Sequence, residues 1–208
     1  MVFLLSLFLG FAIAFVGILP PGMLNMMVAK LSVNENKKAG LLFGFGAAII
    51  VVLQCFIGLY FAKFIESHPI VSDNLKKFAI FIFIVLTLVF LYKGFRAKKK
   101  KVEVEIKNKK KRFFYGMILS ALNMFAIPYY VFCSLTLSSK NIFDFTPIEI
   151  VGFMVGDLVG TLLVFYIYAI LFKKIENKVD FLMDNINFII AAITGIVVIS
   201  SLYKMYSS

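Results

Sequence analysis

The chain has 208 residues, 62% of them hydrophobic and 25 of them Phe, and its mean hydropathy is +0.96. No soluble domain of this size has enough interior to hide that much apolar surface, which excludes an ordinary globular fold. The formal net charge of +11 comes from 22 Lys and Arg against 11 Asp and Glu. Because those charges fall between the apolar runs, they carry topology before they carry binding.

The first uncharged run is Val2–Ala29. It lacks a basic leader and is too long for a signal-peptide core of about 7–15 residues, so it is expected to be a retained helix. Its middle reads "GILPPGMLN". Pro20 and Pro21 have no amide hydrogens for the carbonyls of Val16 and Gly17, and each proline costs about 3 kcal/mol in a helix interior. Leu19, preceding a proline, is expected to be extended. Gly22 leaves room for another chain or a ligand to approach the backbone. The run therefore predicts a helix broken near its centre, with freed carbonyls that must find partners in protein or trapped water.

Further uncharged runs follow at Ala39–Ala62, Phe78–Tyr92, Phe113–Ser139, Ile150–Phe172 (interrupted by Asp157) and Asn185–Tyr203. A bilayer core takes about 20 helical residues to cross. The short third run is extended by Lys76, Lys77 and Lys93, which can reach the headgroups from either end. The expected architecture is an all-α integral membrane protein of six transmembrane helices, at 2–29, 39–64, 76–95, 113–139, 148–172 and 183–204. Residues 1–95 and 113–208 form two three-helix repeats, joined by a basic loop at 96–112.

Orientation follows from the basic residues. Eleven of them lie between Lys93 and Arg112 and three in each of the 1–2 and 5–6 loops, against five elsewhere (Lys63, Lys76, Lys77, Lys140 and Lys204). This bias places the loops cytoplasmic and both termini outside the cytoplasm. The basic loop is read as a solvated segment touching anionic headgroups and not as a nucleic-acid site.

The halves repeat each other at an offset of 110 residues. "FGFGAAIIVVLQCFIGLYFAKFI" (43–65) falls on "FMVGDLVGTLLVFYIYAILFKKI" (153–175), pairing Phe43 with Phe153 and Gly46 with Gly156. Three helices per half force the second copy to enter the membrane from the opposite side. A 3+3 inverted repeat with broken helices 1 and 4 is a recognised plan of secondary transporters. In the fourth run, "SALNMFAIPYY" places Asn123 and Pro128 as the counterpart break. A half-helix beginning at such a break points free N–H groups and a partial positive charge at its surroundings, which suits a carboxylate.

Asp157 is the one ionisable residue well inside an apolar run. An acid at a helix centre costs about 2.5–3.5 kcal/mol on insertion scales and usually faces a cavity or a partner. It is expensive to keep ionised there, which makes it a candidate proton-coupling or cation-coupling site, with Thr161 one turn on along the same face. The competing reading is a protonated Asp acting as structural glue with Asn25, Asn123 or Gln54. Gly152, Gly156 and Gly160 form a small-residue stripe that serves a homodimer as readily as an internal contact. Tyr129, Tyr130, Tyr166 and Tyr168 lie near the breaks, but as four among nine Tyr they read first as packing. Cys55 and Cys133 sit in apolar surroundings, and His68 is the only histidine, so no metal-ligand cluster and no enzymatic constellation is evident.

"PPGMLNMMVAKLS", a short basic turn and "AGLLFGFGAAI" together resemble the LysE/RhtB family of amino-acid exporters. That family's PPGP motif has Met23 in its fourth place here, and "GMILSALNMFAIP" keeps Gly116 and Asn123, with Met124 in place of the proline of the usual Asn-Pro pair and Pro128 coming later. The acid that many members carry after the glycine of helix 2 is Ala47 here, whereas Asp157 follows Gly156 in the second half. The resemblance implies export of amino acids or similar small metabolites, driven by the proton-motive force across a bacterial inner membrane. No cofactor is implied. Two other classes stay open: a thiol–disulfide conduit through Cys55 and Cys133, which replacing both cysteines would abolish, and a metal-ion exporter of similar architecture.

Overall fold

The computed structural model describes residues 1–68, 109–123 and 125–206, with Ile84, Thr87, Leu88, Leu91, Tyr92 and Phe95; most side chains beyond Ile170 are outside the description. The expected third span at 76–95 and most of the basic loop therefore lie largely outside the described residues. Six helices are present among them: α1 (Val2–Ile18), α2 (Met23–Asn34), α3 (Lys37–Glu66), α4 (Lys109–Ala121), α5 (Ala126–Ser138) and α6 (Pro147–Tyr206). The chain divides into two compact units, Met1–Glu66 with Val104–Glu176, and Ser67–Glu103 with Asn177–Ser208. In the second unit, Gly195 faces the methyl of Thr87. Both helix breaks and Asp157 lie in the first unit.

Two helices are long and apolar enough to cross a bilayer alone, α3 and the Pro147–Ile170 part of α6. Two further spans are broken ones: α1 and α2 meet at 78°, α4 and α5 at 60°. Both breaks expected from the prolines are thus present. The first is at Leu19–Gly22, where Gly22 is extended (φ −122°, ψ 176°) and precedes the first turn of α2. The second differs from expectation. It falls at 122–125, upstream of Pro128, which sits in the first turn of α5. That position wastes no hydrogen bond, because first-turn amides have no acceptor within the helix. Leu19 also departs from expectation: it is helical (φ −54°, ψ −40°) and its amide bonds to the carbonyl of Phe15, so α1 winds to the very residue before the proline.

The ends of the other helices are set by local chemistry. Asn36 accepts the Ala39 amide at 3.0 Å and starts α3. Glu149 accepts the amide of Thr146 at 3.0 Å and its hydroxyl at 2.7 Å, a capping arrangement in which Pro147 takes the first helical position. α6 then continues through 173–182, where the sequence predicts a loop between two spans. No Gly or Pro lies between Gly160 and Gly195 to interrupt it.

Glycines let these helices approach to backbone contact. A Cβ on Gly10 would lie 2.0 Å from the carbonyl oxygen of Phe153, and one on Gly156 would lie 1.9 Å from that of Leu7. The same reciprocal clasp joins α3 to α4, with Gly46 against the Phe113 carbonyl and Gly116 against that of Phe43, both at 2.1 Å. Phe43 and Phe153, and Gly46 and Gly156, are the pairs matched by the 110-residue offset. Gly152 and Gly160 extend the first clasp onto Phe3 and Phe11. The small-residue stripe is therefore filled from within the chain, by α1.

Between α5 and α6 the segment 139–146 turns inward. Phe143 and Phe145 are fully buried, 5.0 Å apart edge-on, beside Val51, Cys55, Leu59, Tyr130 and Phe153. Phe145 has a positive φ of 53°, an uncommon setting for a bulky residue. Its burial and the bond from Lys63 Nζ to its carbonyl at 3.2 Å hold it there.

Candidate functional site

The break in the first span is lined with donors. Asn25, in the first turn of α2 and 2% exposed, donates its Nδ2 to the carbonyls of Ile18 and, at 2.9 Å, Pro20. Tyr168 of α6 donates its hydroxyl to the carbonyl of Leu19 at 2.9 Å. Tyr129 of α5 reaches the Ile13 carbonyl at 2.8 Å, and its ring lies where a Cβ on Gly17 would be. Carbonyls at the broken end of α1 are thus satisfied by side chains, as an apolar surrounding demands. The end of α4 is treated likewise: Gln54 of α3 donates to the carbonyls of Ser120 at 3.1 Å and Asn123 at 3.2 Å. Neither α2 nor α5 has a side-chain cap at its N-terminus.

Asp157 lies on the α6 face that meets this region and has no exposure to solvent. Its Oδ1 accepts the hydroxyl of Tyr130 at 2.5 Å. Tyr130 is itself buried, and its ring meets that of Tyr129 edge-on at 5.5 Å. The other carboxyl oxygen, Oδ2, has no hydrogen-bond partner among the described residues, and neither does the hydroxyl of Thr161 one turn along. Cys55 of α3 is within electrostatic reach of both Asp157 and Tyr130. Asn25 Oδ1, Gln54 Oε1 and the Ser120 hydroxyl are also buried and unpartnered.

The expected residues therefore form two linked groups. Pro20 and Asn25 join at the first break, with Tyr168 from α6. Asp157 and Thr161 share a face beside α5, with Tyr129 bridging back to α1. Pro21 is buried at the same break. Gly22 has room to spare, since a Cβ there would meet nothing nearer than the Pro20 carbonyl at 3.9 Å. Asn123 contributes its carbonyl at the second break while its side chain is exposed, and Pro128 is exposed too. The partner of Asp157 is thus Tyr130, with Asn25 and Gln54 bonded instead to backbone carbonyls. Broken-helix carbonyls are the stronger claim on an amide donor in this setting, because each one left unmet costs free energy.

The family model of the LysE type translocator matches residues 15–203, almost the whole chain and both breaks. The chain belongs to that family. No curated protein and no solved structure matches it. A LysE-type translocator with two long apolar helices and two broken ones is a multi-pass membrane protein that carries small molecules.

Within this translocator, the sequence alone points to packing for Tyr129, Tyr130 and Tyr168, and to Gln54 only as a candidate partner of Asp157. A signal for Tyr168 was present. Phe153, Asp157, Thr161, Val164, Phe165 and Tyr168 recur at helical spacing and are all buried, so the stripe that carries the acid also carries this tyrosine. Nothing local distinguishes Tyr130, whose partner is 27 residues away on another helix.

Proposed function

We propose that this translocator is a secondary-active exporter of amino acids or similar small metabolites, coupled to the proton-motive force, and a carrier with no enzymatic step. The observation that carries the reading is a fully buried carboxyl beside two broken helices, one oxygen held by Tyr130 and the other unpartnered. An acid so placed can exchange a proton as the site changes sides. The substrate carboxylate binds at an uncapped half-helix N-terminus, α2 ahead of α5, because in α5 the Ala126 amide bonds to the Asn123 carbonyl and Pro128 has no amide hydrogen to offer.

Alternating access comes from rocking one three-helix repeat against the other. The two equivalent glycine clasps support the inverted repeat on which such a motion rests, since each pairs the first helix of one half with the second helix of the other. The charges support an inner-membrane placement with Met1 outside. The Arg112–Glu35 ion pair, Lys30, Lys37 and Lys38 gather where α3 begins. At its other end, Lys63 reaches Phe145, and α1 begins beside Gly152 in the first turns of α6.

Cells expressing the protein and loaded with dipeptides test the proposal by the amino acids they release. Selective release that Asp157→Asn abolishes at unchanged protein level is expected. Release of no amino acid by the wild type would refute amino-acid export, and release unaltered by the substitution would refute the role of the acid.

A further inference from the structure

α5 is not continuous with α4, so its position is fixed by what its side chains touch. Tyr129 holds it to α1, and α5 lies close over Gly58 of α3, where an added Cβ would come within 2.7 Å of the Tyr130 Cβ and 3.1 Å of the Ile127 carbonyl oxygen. At its far end Ser138 donates to Glu66. Tyr130, in the turn that follows the break, holds it to α6. Of these contacts, only the last ends on an ionisable group in the apolar interior.

We propose that the Tyr130–Asp157 hydrogen bond is a latch between the broken helix and α6, and that Tyr130 is the positioning residue through which proton binding at Asp157 frees α5. This rests on the reading of Asp157 as the coupling acid and adds how its state reaches a moving element. The hydroxyl-to-carboxyl distance of 2.5 Å is in the range of bonds to an ionised acceptor, which are about twice as strong as neutral ones. A proton delivered from water to the unpartnered Oδ2 removes the charge, breaks no covalent bond and leaves the weaker, neutral hydrogen bond. The other titratable groups facing Asp157 are Cys55 on α3 and Tyr129 on α5, with Cys133 beside Tyr129. α1 presents none, as Val2–Ile18 contains no ionisable side chain. No cation among these neighbours takes over the charge when the proton leaves, so the latch is strongest with Asp157 ionised and weakens as pH falls.

The test is amide hydrogen exchange of the full-length protein in lipid nanodiscs, following peptides of α5 and α3 from about pH 8 to about pH 5 and correcting for intrinsic exchange. In the wild type, α5 exchange relative to α3 should rise about tenfold as pH falls, the difference between a charged and a neutral hydrogen bond. Tyr130→Phe and Asp157→Asn should each exchange fast at both ends of the range. A packing role alone would loosen Tyr130→Phe but keep the pH dependence, and that result overturns the latch. So does a wild type whose α5 shows no pH dependence beyond that of α3, a comparison needing no variant. If the latch pattern appears while Asp157→Asn leaves amino-acid release intact, the latch stands and coupled export fails, so the two failures are distinguishable.

Discussion

Replacing Gly156 by alanine should damage the protein far more than replacing Gly22, although Gly22 belongs to the more conspicuous motif. A Cβ at Gly156 lies 1.9 Å from the Leu7 carbonyl oxygen, 2.7 Å from the Phe11 nitrogen and 2.8 Å from the Leu7 carbonyl carbon. All three are backbone atoms, so no rotamer change relieves the clash. α1 has to move off α6 by about 1 Å, and overpacking of this kind costs about 1–3 kcal/mol. At roughly 2–4 °C per kcal/mol for a chain of this size, the melting temperature should fall by several degrees. Gly22→Ala meets only the Pro20 carbonyl at 3.9 Å in a backbone setting any residue adopts. Its melting temperature should stay level or rise slightly, as restricting the unfolded chain stabilises by about 0.4–1 kcal/mol. Thermal unfolding of both variants in the same detergent decides the matter. A Gly156→Ala protein that melts with the wild type would refute the clasp. Gly22→Ala also serves as a probe, because lost transport in a fully stable variant places the ligand at that backbone.

Asn25→Asp is nearly isosteric but donates only when protonated, and then only once, so above the carboxyl pKa the Ile18 and Pro20 carbonyls should each lose about 1–3 kcal/mol of satisfaction; thermal unfolding at about pH 8 should show Asn25→Asp at least as unstable as Asn25→Leu. Glu35→Ala removes the ion pair to buried Arg112 and should destabilise by about 2 kcal/mol, between the exposed and buried ranges. Because burial shields the pair, unfolding in high salt should show the same loss, whereas an exposed pair would be screened.

The two breaks were legible in the sequence because proline and glycine act locally, through a missing amide and a missing Cβ. Where the second break falls was less legible, since Pro128 is equally content in a first turn and the chain bends upstream of it. Asp157 was legible as a charge out of place. Its partner was not, because a hydrogen bond between α5 and α6 is set by tertiary approach and leaves no mark on either segment. The stripe of Gly152, Gly156 and Gly160 announced a close neighbour without saying which, and the structure assigns it to α1. The charges between 172 and 183 suggest two helices, at 148–172 and 183–204, yet charged residues such as Lys173, Lys174 and Glu176 are good helix formers and do not stop one.

The donors at the first break arrive at different times during synthesis. Asn25 is five residues past Pro20 and seven past Ile18, so it can meet those carbonyls as soon as the first span enters the bilayer. The Leu19 carbonyl must wait for Tyr168, 149 residues later, and α1 must wait as long for the glycines that seat it. For most of its translation the protein therefore holds a half-finished first helix in the membrane, with Asn25 keeping the bend capped until the second half closes it.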